Sequence, residues 1–172
     1  MDIHGFNKWE KICVRIERLP KATIALVGGA CIGGGAQLAI VTDAVLATPS
    51  ATFQFNEVHL GFLPGMATFR LAKHVGLGRA KRLIMQCPTL SADEAHQLGI
   101  VTAISADLES ALSETISAFG PNHTVAVTLA RRLLNESFST DFENGIGNFL
   151  AAQHRAIHQT PFLDTIKKHR DE

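Results

Sequence analysis

Glu57 and the glycine run Gly33-Gly34-Gly35 are the features of this chain whose residue types and placing can do chemistry. The glycine run lies between an apolar stretch and a short helical one. Free backbone N–H groups and a helix dipole at such a junction suit a developing negative charge. Glycine also lets a ligand approach the main chain closely. The same run reads equally as a tight strand–helix turn with no ligand, and glycines alone do not separate the two. Glu57 stands just after a short strand, at the mouth of a glycine/proline loop that runs from Asn56 to Pro64-Gly65. A carboxylate at the edge of an apolar pocket can exchange a proton with a carbon acid. The other reading is a solvated loop glutamate, the usual fate of this residue type. Gln37 can hydrogen-bond but cannot take a proton. It reads either as part of the same site or as a polar residue on a short helix with no role.

Other candidate groups point elsewhere. Of the eight histidines, only His154 and His158 have an i, i+4 spacing, and no Glu or Cys accompanies them. That pattern suits a solvated helix face, and no metal is expected. His59 is near enough in sequence to tune Glu57, or its local geometry turns it away. The three cysteines, Cys13, Cys31 and Cys87, form no CxxC pair and read as reduced, intracellular thiols. Lys plus Arg equals 16 and Asp plus Glu equals 16. A zero net charge removes the electrostatic case for nucleic acid. The longest apolar stretch, Ala22 to Ile32, is too short for a bilayer, and the start has no basic n-region. A cytoplasmic protein without membrane contact is expected. The cluster Lys167-Lys168-His169-Arg170 compensates a helix dipole or meets a phosphate.

These groups need a scaffold, and the patterning predicts one. Phe6, Trp9, Ile12, Cys13, Ile16 and Leu19 fall at helical spacing, and Pro20 stops that helix. Thr23–Val27 is a nearly continuous apolar run, expected as a parallel strand buried on both faces. The glycines break it, and a short helix from about Gly35 to Val41 follows. Ala44–Thr48 and Thr52–Phe55 read as strands. Asn56 to Gly65 reads as loop. Helices are expected at Met66–Val75 and Arg79–Gln86. Ser91-Ala92-Asp93-Glu94 is a capping box, with Gly99 as the matching stop. Ile100–Ala103 is a short strand. Helices then follow at Leu108–Phe119, Val125–Asn135 and Phe142 to about His158, with Pro161 interrupting before a charged end. Strands alternating with helices, then helices alone, imply an α/β core with a helical C-terminal extension.

The stretch Lys21-Ala22-Thr23-Ile24-Ala25-Leu26-Val27-Gly28-Gly29-Ala30-Cys31-Ile32-Gly33-Gly34-Gly35-Ala36-Gln37-Leu38-Ala39 resembles the central signature of the crotonase superfamily, the enoyl-CoA hydratase/isomerase family. Asp43, Phe53-Gln54-Phe55-Asn56-Glu57, Gly61-Phe62-Leu63-Pro64-Gly65, Arg70-Leu71, Val75-Gly76, Ala80 and Ser91–Val101 continue the likeness. It runs from about Trp9 to Val101 without a visible gap. The fold it implies is α/β, a ClpP-like ββα spiral. The helix at Phe6–Leu19 resembles the one that precedes this signature, so the expectation is an N-terminally truncated spiral. The first βαβ turns, one oxyanion donor and much of the adenine-side contact would lie outside it. Residues 1–104 are expected to form the partial spiral core, and 105–172 a helical C-terminal region resembling the family's trimerisation region.

The resemblance implies roles for particular residues. Gly34 would supply an oxyanion N–H, and Glu57 would be the acid/base that faces C2 and C3 of an acyl chain. Gly33, Gly34, Gln37, Pro64 and Gly65 would border the substrate. Gln37 departs from the hydratase pattern, which has a second glutamate there to activate water. A single carboxylate can still move a proton from C2 to C4, as in Δ3–Δ2 enoyl-CoA isomerases, and Asn56-Glu57 is similar to their pattern. The dienoyl-isomerase variant has an extra aspartate where this chain has Gly65. No separate cofactor is implied, since coenzyme A is part of the thioester substrate. The implied partners are an acyl-CoA or acyl-carrier thioester, further copies in a homotrimer or hexamer, and a companion chain for the missing part. Competing expectations are hydration, dehydration or decarboxylation of a thioester, or an inactive truncated paralogue that keeps the assembly surface.

Overall fold

The computed structural model describes residues 2–120 and 125–171, with the side chains of Arg170 and Asp171 left aside. His123 and Glu172 lie outside the described residues. The chain divides into two compact units, Met1–Leu19 with Thr23–Thr115, and Pro20–Ala22 with Ile116–Glu172.

The first unit begins with helix α1 (Ile3–Glu17), capped by Asp2, whose carboxylate accepts from the Gly5 N–H at 3.0 Å. Strands β1 (Ile24–Val27) and β2 (Ala30–Ile32) and helix α2 (Gly34–Ala39) follow. Strands β3 (Ala44–Ala47) and β4 (Thr52–Gln54) then lead into a 3-10 turn, Glu57–Leu60, and helices α3 (Ala67–Val75) and α4 (Leu77–Met85). Strand β5 (Leu90–Ser91), helix α5 (Ala92–Gln97) and strand β6 (Ala103–Ile104) precede helix α6 (Leu108–Ala118). The strands form two three-stranded sheets, β1-β3-β6 and β2-β4-β5. Each successive strand pair sends one strand to each sheet, which is the winding of a ββα spiral. All pairings are parallel except β4 with β5.

Register is pinned at the start of the first sheet. Asp43 Oδ2 accepts from both the Thr23 N–H, at 2.6 Å, and the Thr23 hydroxyl, at 2.8 Å. Ile24 therefore lies opposite Ala44, and Val27 opposite Ala47. The core between the sheets and helices gathers Phe53, Phe55, Leu71, Leu83, Leu90 and Val101, all fully or almost fully buried. The capping box is present on α5: the Ser91 hydroxyl accepts from the Glu94 N–H, and the Glu94 carboxylate accepts from the Ser91 N–H.

The second unit holds α7 (Val125–Glu136), α8 (Phe142–Ile157) and α9 (Thr160–Asp171). Among its described residues no apolar side chain is buried, and Phe142 is 80% and Leu134 71% exposed.

Several elements differ from expectation, each for a physical reason. β1 was expected to be buried on both faces, yet Leu26 is 45% exposed. β1 is an edge strand, and β3, buried along its whole length between two neighbours, takes the central place. β2 lies among the glycines that mark a break in sequence. Gly28 and Gly29 bend the chain, and pairing with Thr52–Gln54 holds the next three residues extended. β5 is too short to show a period. The strand expected at Ile100–Ala103 is displaced to Ala103–Ile104, because the Ile100 and Val101 N–H groups bond back to the Ala95 carbonyl. Asn56–Gly65 is not all loop, since the 3-10 turn occupies Glu57–Leu60 and ends at Gly61. Pro161 does not interrupt a helix: it sits in the first turn of α9, where its missing N–H costs nothing.

Phe53 has no exposed surface at the centre of the second sheet. We expect Phe53→Ala to lower unfolding free energy by about 3–5 kcal/mol in urea denaturation.

Candidate active site

Three elements of the first unit meet around one open cavity of ≈ 540 Å³. α1 contributes Phe6 and Trp9, the β2–α2 junction Gly33, Gly34 and Gln37, and the segment after β4 Glu57, Phe62 and Gly65. Phe6 and Phe62 both line it and are in tilted ring contact, with centroids 6.1 Å apart. The wall is therefore mainly apolar, with a few polar groups set into it.

The β2–α2 junction has a backbone that only glycine adopts readily. Gly33 has φ +54° and ψ −117°, and its N–H donates to the Gln54 carbonyl at 2.9 Å. A Cβ there would lie 3.2 Å from Glu57 Oε1 and 3.4 Å from Asn56 Oδ1. The bare backbone is thus what lets Glu57 come close. Gly34 is the first residue of α2, ahead of any carbonyl in that helix that could take its N–H. Its open side faces the Trp9 ring, 3.4 Å from the place a Cβ would occupy.

Glu57 opens the 3-10 turn and is only 2% exposed. Its Oε1 accepts from Gln37 Nε2 at 2.7 Å. Gln37 Oε1 in turn accepts from Trp9 Nε1–H at 3.1 Å. Glu57 Oε2 is buried and, among the described residues, has no hydrogen-bond partner. A buried carboxylate oxygen without a donor is costly unless something is meant to meet it.

A charged clamp holds α1 in place. Arg70 on α3 is 7% exposed; it donates to Glu10 at 2.8 Å and to Glu17 through two N–H groups at 2.7 and 3.1 Å. Burial works against its charge, but the hydrogen-bonded carboxylates of Glu17 and Glu10 more than offset this and hold its pKa above the usual value. Glu10 Oε1 also accepts from the Met66 N–H at 2.9 Å, beside Gly65. Gly65 has φ +50°, and a Cβ there would lie 2.5 Å from Glu10 Oε1.

Gly33, Gly34, Gln37, Glu57 and Gly65 therefore come together on one cavity. Pro64 is fully buried and does not line it; its carbonyl accepts from the Ala67 N–H and starts α3. His59 is exposed on the 3-10 turn. Cys31 is buried, and burial pushes its thiol up to about 11, so it is no thiolate nucleophile at neutral pH. Among the described residues no cluster of three or more His, Cys, Asp or Glu is placed to hold a metal ion. In the second unit the His154 and His158 rings lie 4.4 Å apart. No described helix is long and apolar enough to cross a membrane.

Trp9, Glu10 and Arg70 are residues around the site that the sequence pattern does not mark as such. Trp9 reads in sequence as one apolar residue of an amphipathic helix. Arg70 did carry a signal, since a cation in the α3 sequence must find partners if that face is buried.

Comparison with known proteins follows the same lines. A family model described as enoyl-CoA hydratase/isomerase matches residues 5–171. The chain is 30% identical over 151 residues to an enoyl-CoA hydratase of Amycolatopsis orientalis, covering 88% of this chain and 70% of that protein. It is 34% identical over 139 residues to a short-chain-enoyl-CoA hydratase of Clostridium acetobutylicum, covering 79% of this chain and 53% of that one. The crystal structure of an enoyl-CoA hydratase from Bacillus anthracis matches with a TM-score of 0.89 at 27% identity, over 99% of this chain and 69% of that one. The chain thus spans 53% to 70% of the lengths of these relatives.

Removing Arg70 takes away the cation that Glu10 and Glu17 share. We expect Arg70→Met to cost about 3–5 kcal/mol in chemical denaturation, and Arg70→Lys to recover only part of it.

Proposed function

The chain belongs to the enoyl-CoA hydratase/isomerase family and has its crotonase fold, and from that premise we propose that its first unit carries the one-carboxylate proton-transfer site of an acyl-thioester isomerase. Glu57 Oε2 takes the proton from C2 of a 3-enoyl thioester. The electron pair of that C–H bond forms the C2–C3 double bond, and the C3–C4 pair takes up the proton that Glu57 returns at C4. Charge rests on the thioester oxygen between the two transfers, and the Gly34 N–H is one donor toward it. Gly33 and Gly65 border the acyl chain, and Pro64 shapes that wall from behind. Coenzyme A enters as part of the substrate, with a carrier-protein thioester as the other form.

The Gln37–Glu57 pair carries this reading. Its amide donates at 2.7 Å to a buried carboxylate and cannot act as a second base. It occupies one oxygen of Glu57 and leaves the other for a substrate proton. Activation of water by two carboxylates lacks a carboxylate at position 37, and Glu10, which also lines the cavity, is bound to Arg70 and the Met66 N–H.

Hydration is the second reading, favoured by the relatives named as hydratases. In it Glu57 alone would handle both the water and the C2 proton. Assembly belongs to the proposal as well. The exposed Leu134, Phe142, Phe149 and Leu150 of the second unit suit burial against further copies, in a homotrimer or hexamer. A companion chain would supply the second oxyanion donor.

A 3-enoyl-CoA and its 2-enoyl isomer, each incubated with the chain and followed by mass spectrometry and conjugated-thioester absorbance, separate these readings. Interconversion without mass gain is expected. Glu57→Gln should lower that rate about 10²–10⁴-fold. Gln37→Glu should slow isomerisation and allow addition of one water to the 2-enoyl thioester. Rapid hydration by the unaltered chain, without isomerisation, would overturn the proposal in favour of the second reading. A folded chain that turns over neither thioester would mark an inactive paralogue.

A further inference from the structure

Trp9 is the chain's only tryptophan, and its indole N–H ends a chain of two hydrogen bonds that begins at Glu57. We propose that Trp9 is a positioning residue for Glu57 and acts through Gln37: its N–H braces the Gln37 amide in the orientation that donates to the carboxylate. This deepens the site reading just given and rests on it for the catalytic consequence, while the hydrogen-bond chain stands independently.

The two ends of the Gln37 amide have opposite hydrogen-bonding character, and each neighbour accepts only one of them. An indole N–H donates and never accepts. An ionised carboxylate accepts and never donates. With Trp9 on one side and Glu57 on the other, one amide orientation satisfies both contacts. A flipped amide would set N–H against N–H and carbonyl oxygen against carboxylate at once. The bonds at 3.1 and 2.7 Å therefore form one unit. Neither could be reversed alone.

The unit is anchored at its far end. Trp9 rests against the bare face of Gly34, and the next residue, Glu10, is tied to Met66 N–H and Arg70. One turn on, Cys13 is completely buried. The indole is thus held by α1 as a fixed donor. Its effect reaches Glu57 as a choice between the two carboxylate oxygens: Oε1 is occupied and Oε2 is not. Without the indole N–H, Gln37 Oε1 loses its donor and the amide is held by its contact with Glu57 alone.

Trp9→Phe keeps a ring against Gly34 and removes the N–H. The expected result is a fall in kcat of about tenfold with KM nearly unchanged, the scale of one neutral hydrogen bond. In a Gln37→Met background the same substitution should change kcat little, because the residue through which Trp9 acts is gone. An equal loss in both backgrounds would overturn the proposal and make Trp9 a packing residue. A second readout needs no turnover. In a ¹⁵N spectrum the single indole cross-peak should move upfield and exchange faster in Gln37→Met. The Gln37 side-chain NH₂ pair, assigned by its loss in Gln37→Met, should shift in Trp9→Phe. Resonances that stay in place in both variants would overturn the proposal. A chain without isomerase activity that shows both shifts would sink the catalytic reading and keep the hydrogen-bond chain.

Discussion

A buried carboxylate must either find donors or be placed for a proton, and Glu57 does half of each. One oxygen is bonded to Gln37, and the other is buried with no hydrogen-bond partner among the described residues. Much of the first unit can be read as the means of maintaining that imbalance. Gly33 gives up its side chain so that Glu57 can approach. The positive φ of Gly33 and its bond to the Gln54 carbonyl turn the chain from β2 into α2, which sets Gln37 on the helix beside the carboxylate. Trp9 fixes the amide from the other side.

The spiral winding makes this possible. Because each strand pair serves both sheets, β2 and β4 are neighbours in one sheet while their predecessors β1 and β3 are neighbours in the other. The segments that leave β2 and β4 therefore emerge side by side. One starts α2, and the other starts the turn with Glu57. Cooperation between residues 20 apart in sequence follows directly from a parallel pairing, Ile32 opposite Gln54. The clamp of Arg70 with Glu10 and Glu17 then brings α1 against the same place.

The residues that meet at the cavity were legible in sequence chiefly through the family resemblance. By type alone Gly33, Glu57 and Gln37 suit a turn, a solvated loop and a helix surface as well as a site, whereas the capping box at Ser91 is a local pattern that needs no tertiary knowledge. What stayed hidden depends on pairing. β2 is extended only because β4 lies beside it. β1 shows an apolar run that reads as central, but burial depends on neighbours, and β1 lies at an edge. Trp9 reads as one more core residue because period alone does not reveal what its N–H meets. Pro161 misleads for the opposite reason: a helix breaker in the interior is a helix starter in the first turn.

Gly65 and Glu10 have a consequence for how this chain can change over generations. The space where a side chain at 65 would begin is held by the Glu10 carboxylate, 2.5 Å away, and the backbone there has φ +50°. A side chain at 65 would displace the end of Glu10, and with it the Met66 N–H contact and one arm of the clamp on Arg70. A new group on this loop therefore comes at the expense of an α1 contact.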